Sequence, residues 1–120
     1  MSSSRITVLS ASPPDGSPVP IVGNSEATAT VLNAATTDAG ANTVLKQWNV
    51  WAFSRSATPS TLHLVFGSAR ITLSVTIPPL GHAPVNVLQD FVAQHGMAVS
   101  AYVTNGAAHE IHVFATKLRV

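Results

Sequence analysis

From Ala27 to the C-terminus the apolar residues of this chain recur with a period of two. No stretch keeps the i, i+3, i+4, i+7 spacing over the roughly 10–12 residues that a helix needs. The clearest run places Ile71, Leu73, Val75 and Ile77 on one side and Arg70, Thr72, Ser74 and Thr76 on the other, and Pro78-Pro79 ends it. That is the pattern of a half-buried antiparallel strand. Successive side chains on a strand point to opposite faces, so each such run also states which residues share a face.

Other runs follow the same rule. Thr28, Thr30 and Leu32 alternate with Ala29, Val31 and Asn33, and the polar segment Thr36–Gly40 closes that stretch. Thr43 to Ser54 sets Val44, Lys46, Trp48, Val50 and Ala52 against Leu45, Gln47, Asn49, Trp51 and Phe53. Leu62, Leu64 and Phe66 form one face of a strand ending at Gly67, and Val99, Ala101 and Val103 alternate with Ser100, Tyr102 and Thr104. The last run, Glu110 to Val120, carries Ile111, Val113 and Ala115 opposite His112, Phe114, Thr116 and Leu118. Val85–Leu88 reads as a short strand, and residues 88–94 read as a loop because Gly96 follows at once. Asn105-Gly106 marks a turn. The expected fold is all-β: a single antiparallel β-sandwich of about eight strands.

Residues 1–26 differ from the rest. Arg5–Leu9 is β-prone, but Pro13, Pro14, Pro18 and Pro20 follow within eight residues, forbidding a helix and removing donors that a central strand needs. A turn is expected at Pro14-Asp15-Gly16. Residues 1–26 are therefore assigned to an extended N-terminal arm, either a leader or a strap laid on a neighbouring subunit and gripped by Ile6, Val8 and Leu9. Residues 27–120 are assigned to the sandwich domain.

A chain of 120 residues without cysteine is one domain with a core large enough to need no staples. Only 9% of it is charged, against about 25% in an average soluble protein, while 46% is hydrophobic. Either Ser, Thr, Asn and Gln solvate the surface, or partner chains cover much of it. A net charge of +1, with the basic residues scattered, argues against nucleic acid. No apolar run approaches the roughly 20 residues of a membrane span. The absence of cysteine fits assembly in a reducing cytoplasm, and an N-terminus with no apolar signal-peptide core implies no export by the usual route.

Chemistry is sparse. Among His63, His82, His95, His109 and His112, only His109 and His112 are close, and a spacing of three on a strand sends them to opposite faces. No zinc pattern results. Asp15, Glu26, Asp38, Asp90 and Glu110 each fall at an expected loop or element end. Nothing pairs two of them across a cleft as a glycosidase requires. There is no Gly-x-Ser-x-Gly elbow and no phosphate-cradling glycine loop. No catalytic residue, cofactor or metal is assigned, and the chain is expected not to be an enzyme.

Runs 43–54 and 110–120 carry large apolar groups on both faces, whereas a two-layer sandwich covers each sheet once. A neighbouring protomer is the economical second cover. The candidate oligomer or partner interface is Trp48, Trp51, Phe53, His112, Phe114 and Leu118, since buried aromatics anchor interfaces. The competing reading is that twist and loops bury both indoles internally.

The order of parts in residues 27–120 resembles small tailed-bacteriophage virion proteins with jelly-roll-like sandwiches. A Thr/Ala-rich opening strand (Ala27–Ala35) precedes an aromatic strand (Lys46–Phe53), a short strand ending in glycine (Leu62–Gly67) and a Pro-bounded connection (Thr76–Gly81). The ending is the most similar part: Gly96-Met97-Ala98-Val99-Ser100-Ala101, a small-residue turn, and Ile111–Ala115. Met97 departs from the pattern, where similar chains often carry an acid. The resemblance implies a capsid decoration (cement) protein in the virion, forming a homo-oligomer, a trimer first of all, on the major capsid protein or another virion protein. The alternative it leaves open is a neck- or tail-associated module that binds carbohydrate or a receptor, with Trp51 or Tyr102 as a sugar platform.

Overall fold

The computed structural model describes residues 6–8, 17–35, 45–67, 70–81, 84–94, 96–105 and 109–119. Its strands are β1 (Ile6–Val8), β2 (Val19–Pro20), β3 (Thr30–Asn33), β4 (Leu45–Ser54), β5 (Ser60–Phe66), β6 (Ile71–Ile77), β7 (Val85–Gln94), β8 (Val99–Thr104) and β9 (Ile111–Arg119). They form two antiparallel sheets, and no α-helix occurs among the described residues. One sheet runs β1-β9-β4-β7, with β2 also on β9; the other runs β3-β8-β5-β6. The chain is an all-β sandwich.

Strands β1 and β2 share one lane. Ile6–Val8 pairs with Leu118–Thr116, and Val19–Pro20 pairs with Val113–His112, both on the same edge of β9. Counted by lanes, the sandwich therefore has the expected eight. The pairings are nested: the first lane meets β9, β3 meets β8, β4 meets β7 and β5 meets β6. The chain is thus a long hairpin doubled on itself. Rolling that hairpin adds β4 beside β9 and β5 beside β8, and splits the lanes between two layers.

The inner faces are those that alternation groups together. Trp48, Val50 and Ala52 of β4 and Ile111, Val113 and Ala115 of β9 face Leu62 and Leu64 of β5 and Val99, Ala101 and Val103 of β8 in one buried cluster. Each larger aliphatic side chain contributes about 1.5–3 kcal/mol by leaving water. Leu32 and Ile77 close the cluster from the edge strands.

Three local differences from the sequence reading have physical causes. Residues 88–94 are not a loop; they complete the ten-residue strand β7. Trp48 lies opposite Phe91 but Val50 opposite Leu88, so an extra residue bulges out of β7 between them, and a second irregularity follows at Val50/Trp51. Each bulge resets the alternation and hides the strand from a period-two search. Asp90 therefore sits inside a strand, with φ 57°, rather than at an element end. The Gln47 amide donates to its carboxylate at 2.6 Å, and its own N–H donates to Asn49 Oδ1 at 3.2 Å.

Second, Glu26–Thr28 forms a 3-10 turn, and the strand begins only at Thr30. Third, the segment assigned to an arm on a neighbour pairs with the chain's own β9 where it is described. Ile21 continues that lane, donating to the Ile111 carbonyl at 2.9 Å, and its side chain is fully buried in the core. Prolines are tolerated there because the lane is a sheet edge, where a missing donor faces outward. The sandwich thus includes residues ahead of position 26. Leu9 and the Pro14-Asp15-Gly16 turn lie outside the described residues.

The path from this lane into the 3-10 turn requires Gly23. A Cβ there would stand 2.0 Å from the Thr28 carbonyl oxygen, while the Gly23 carbonyl accepts from Val103 N–H at 3.0 Å. Gly23→Ala must push these two backbones apart. It is expected to cost about 1–3 kcal/mol, as overpacking does, read as a lower urea midpoint with an unchanged m-value.

Candidate functional site

Strand β4 divides its two indoles between the faces of the sheet. Trp48 is completely buried, the largest such side chain, and meets Phe91 edge-on with ring centroids 6.5 Å apart. It therefore leaves the candidate interface set: a side chain inside the core reaches no partner. Trp51, Phe53, His112 and Phe114 remain together on the outer face, each half-buried. Trp51 stacks with Phe114 at 5.8 Å and 13° between planes, and Phe53 with His112 at 5.2 Å and 7°. Phe53 and Phe114 meet at 6.3 Å and join the two pairs into one ladder across β4 and β9. The cross-strand register Trp51↔Phe114 and Phe53↔His112 produces it directly. Leu118 lies on the same face, opposite Gln47 and four residues beyond Phe114. Of the arm residues, Ile6 and Val8 are placed by their backbone alone, as edge partners of Leu118 and Thr116.

The inner face of the same sheet holds a group the composition did not announce. Lys46 and Lys117 are both buried, at 5% and 2% exposure. The Lys117 ammonium donates to Asn33 Oδ1 at 3.0 Å and lies 5.6 Å from the Trp48 ring centroid. Asn33, also buried, donates in turn to the Met97 carbonyl at 2.9 Å. Burial, with repulsion from Lys46 second, lowers the Lys117 pKa from 10.5 to about 8. Alternation does put Lys46 on the Trp48 side of β4, but sidedness alone does not say that this side is interior.

The outer face of the second sheet is hydroxylic. His63 stacks on Tyr102 at 4.5 Å, and its two ring nitrogens meet Ser74 Oγ at 2.7 Å and Thr104 Oγ1 at 2.8 Å. Each hydroxyl accepts from the ring or donates to it, as the tautomer dictates. A histidine–serine contact of this kind has the reach of a nucleophile–base pair. Here both ring nitrogens are taken by hydroxyls, leaving none for an orienting carboxylate, and the pair lies on a sheet face, not in a cleft. His109 sits in the turn before β9, with φ 69°, and His112 on the outer aromatic face. No group of three or more His, Asp or Glu able to hold a metal ion occurs among the described residues.

An apolar cleft of about 650 Å³ opens where β6 and β7 form the same side of the sandwich, lined chiefly by Phe66, Ile71, Leu73, Leu88, Phe91 and Met97. Ile71 and Leu73 are 64% and 36% exposed there. The face of β6 that alternation marks as apolar is therefore buried only at its far end, where Ile77 enters the core. Compared with protein-family models, curated proteins and solved structures, the chain has no match.

Proposed function

We propose that this chain is a structural subunit of a virus particle, a capsid decoration protein that works by packing against other chains. The observation that carries this reading is the aromatic ladder. Trp51, Phe53, His112 and Phe114 form a continuous aromatic strip, apolar but for the imidazole, on the outside of a sheet whose inside is already filled. Contiguous apolar surface of this kind marks a contact site, and aromatics are its usual anchors. The nested pairing of lanes, which fits a jelly-roll winding, and the 9% charge content support the same reading. A homo-oligomer, first of all a trimer, would bury the ladder between subunits and leave the polar face of the second sheet in water. Burial at about 25 cal/mol per Å², repeated over a shell, would stiffen the particle after association costs are met.

The expected result is a mass by light scattering above that of the 12.4 kDa monomer. The pair Trp51→Ser and Phe114→Ser then shifts it down by raising the dissociation constant at least a hundredfold, with the fold retained by circular dichroism. A wild-type chain that stays monomeric and does not sediment with its capsid would sink the proposal. The alternative, a tail-associated carbohydrate module, draws on Tyr102, whose ring is seated on His63 among Ser and Thr hydroxyls. Glycan binding lost on Tyr102→Ala, with the oligomer intact, is the result that would favour it.

A further inference from the structure

We infer that β6 is a self-complementary edge, and that a second copy of this chain pairs with it antiparallel about a two-fold axis through Ser74. The sequence of β6 is Ile71-Thr72-Leu73-Ser74-Val75-Thr76-Ile77. Read backwards it is the same apart from an exchange of Leu and Val. Antiparallel pairing centred on Ser74 therefore sets Ile71 against the second copy's Ile77, Thr72 against its Thr76, Leu73 against its Val75, and Ser74 against its Ser74. Like meets like at every position. The Thr/Ser face and the aliphatic face each run unbroken across the junction, and no charged residue of either strand opposes another.

The other sheet edges explain why this one is singled out. An open edge is a template for unwanted pairing, and proteins blunt it with prolines, charges, bulges or shortness. The first lane is broken into three- and two-residue pieces and carries Pro20. Strand β3 has four residues with a register irregularity, and β7 has two irregularities and Asp90. Strand β6 has none of these devices: it is seven residues long, uncharged, free of proline and in unbroken register with β5. Among the described residues nothing pairs with its outer edge.

Pairing also acts on the cleft. The second copy's Ile77 and Val75 would lie beside Ile71 and Leu73, the two exposed aliphatics at its mouth. A seven-residue edge about 24 Å long and about 15 Å deep presents roughly 360 Å² per partner, below the range of standard stable interfaces. The dimer is therefore weak, with a dissociation constant in the micromolar range, as suits a contact repeated within a larger assembly. It is closed, because each copy spends its one unprotected edge. This inference uses a different surface from the aromatic ladder and stands without the capsid reading.

The test is made on the full chain carrying Trp51→Ser and Phe114→Ser, so that loss of the ladder contact and loss of the β6 contact are read separately. Light scattering and sedimentation velocity across about 10–500 μM should show a reversible monomer–dimer equilibrium. Adding Thr72→Lys with Thr76→Lys, both exposed positions, should weaken it at least tenfold by setting like charges opposite each other. Thr72→Lys with Thr76→Glu should restore it, because the two-fold then sets each Lys against a Glu. The chain has no native cysteine, and opposed Cα atoms in a ladder lie within disulfide reach. Ser74→Cys should thus cross-link to itself under oxidation, whereas Thr72→Cys, about 13 Å from its own copy in this register, should not. A monomer at every concentration, equal behaviour of the two charge variants, or cross-linking at 72 as readily as at 74 would each overturn the inference.

Discussion

Trp48→Ala should remove about 3–5 kcal/mol of stability, the range for deleting a large buried aromatic. A domain of this size has only about 5–15 kcal/mol in total, so the variant stands near the limit of folding at 37 °C. Trp48 belongs to the core cluster that the two layers share. It fills β4's inner face, meets Phe91 of β7 edge-on, and offers its ring to the Lys117 ammonium. Removing it leaves a cavity and strips that buried cation of one of its favourable contacts. Its Nε1 is buried with no hydrogen-bond partner among the described residues, so Trp48→Phe deletes an unsatisfied donor along with part of the ring. That variant should therefore cost less than half as much as alanine. Urea titration followed by circular dichroism checks both, and an alanine variant within about 1 kcal/mol of wild type would contradict this packing.

The second large effect is a dependence on pH, set by the cost of charging a buried lysine. In the unfolded chain Lys117 holds its proton to about pH 10.5; in the folded chain it releases it near pH 8. Between those values the unfolded state binds more protons, so stability rises as the pH is raised from about 8 to about 10.5. Below pH 8 Lys117 is charged in both states and the full penalty stands; above 10.5 it is neutral in both and the penalty is gone. The difference is on the order of 3 kcal/mol, because each tenfold change in proton affinity is worth about 1.4 kcal/mol. Urea midpoints measured from pH 7 to 10.5 should climb in the wild type and stay nearly flat in Lys117→Met. Lys46→Met should leave a shallower climb, since burial, the larger cause, remains while the like-charge repulsion goes. A wild-type midpoint that is level or falling over this range would show that the Lys117 ammonium is not enclosed beside Trp48 and Asn33.

These two residues also mark how far the sequence carries. Lys46, Trp48, Val50 and Ala52 share a face of β4 because a strand alternates, and Gln47, Asn49, Trp51 and Phe53 share the other for the same reason. The structure contains both groupings, and those of β5, β8 and β9 as well. Which grouping lies inside does not follow from alternation. With an indole on each side, β4 is nearly symmetric in apolar content, and the core side is decided by where β5 and β8 come to pack. Sequence reasoning therefore places Trp48 among interface residues that lie on the opposite face from it. The aromatic ladder is legible as a list of residues but not as a surface, because the pairing of Trp51 with Phe114 and of Phe53 with His112 depends on the β4–β9 register.

Strand β7 is hidden for a different reason. Its bulges near Asp90 shift the inward positions by one, and a local search for alternation reads the shifted half as loop. In the first lane, prolines signal only that a segment cannot be a central strand. They say nothing of whose edge it occupies, and Ile21 enters the core through contacts with residues some ninety positions away, Ile111 among them. Sequence by itself determined the class of fold, most strand runs and the partition of each strand into two faces, since these follow from backbone geometry over neighbouring residues. Tertiary structure decided which faces are interior, which lysines are buried and which edge is left open, because those are properties of strands brought together from distant parts of the chain.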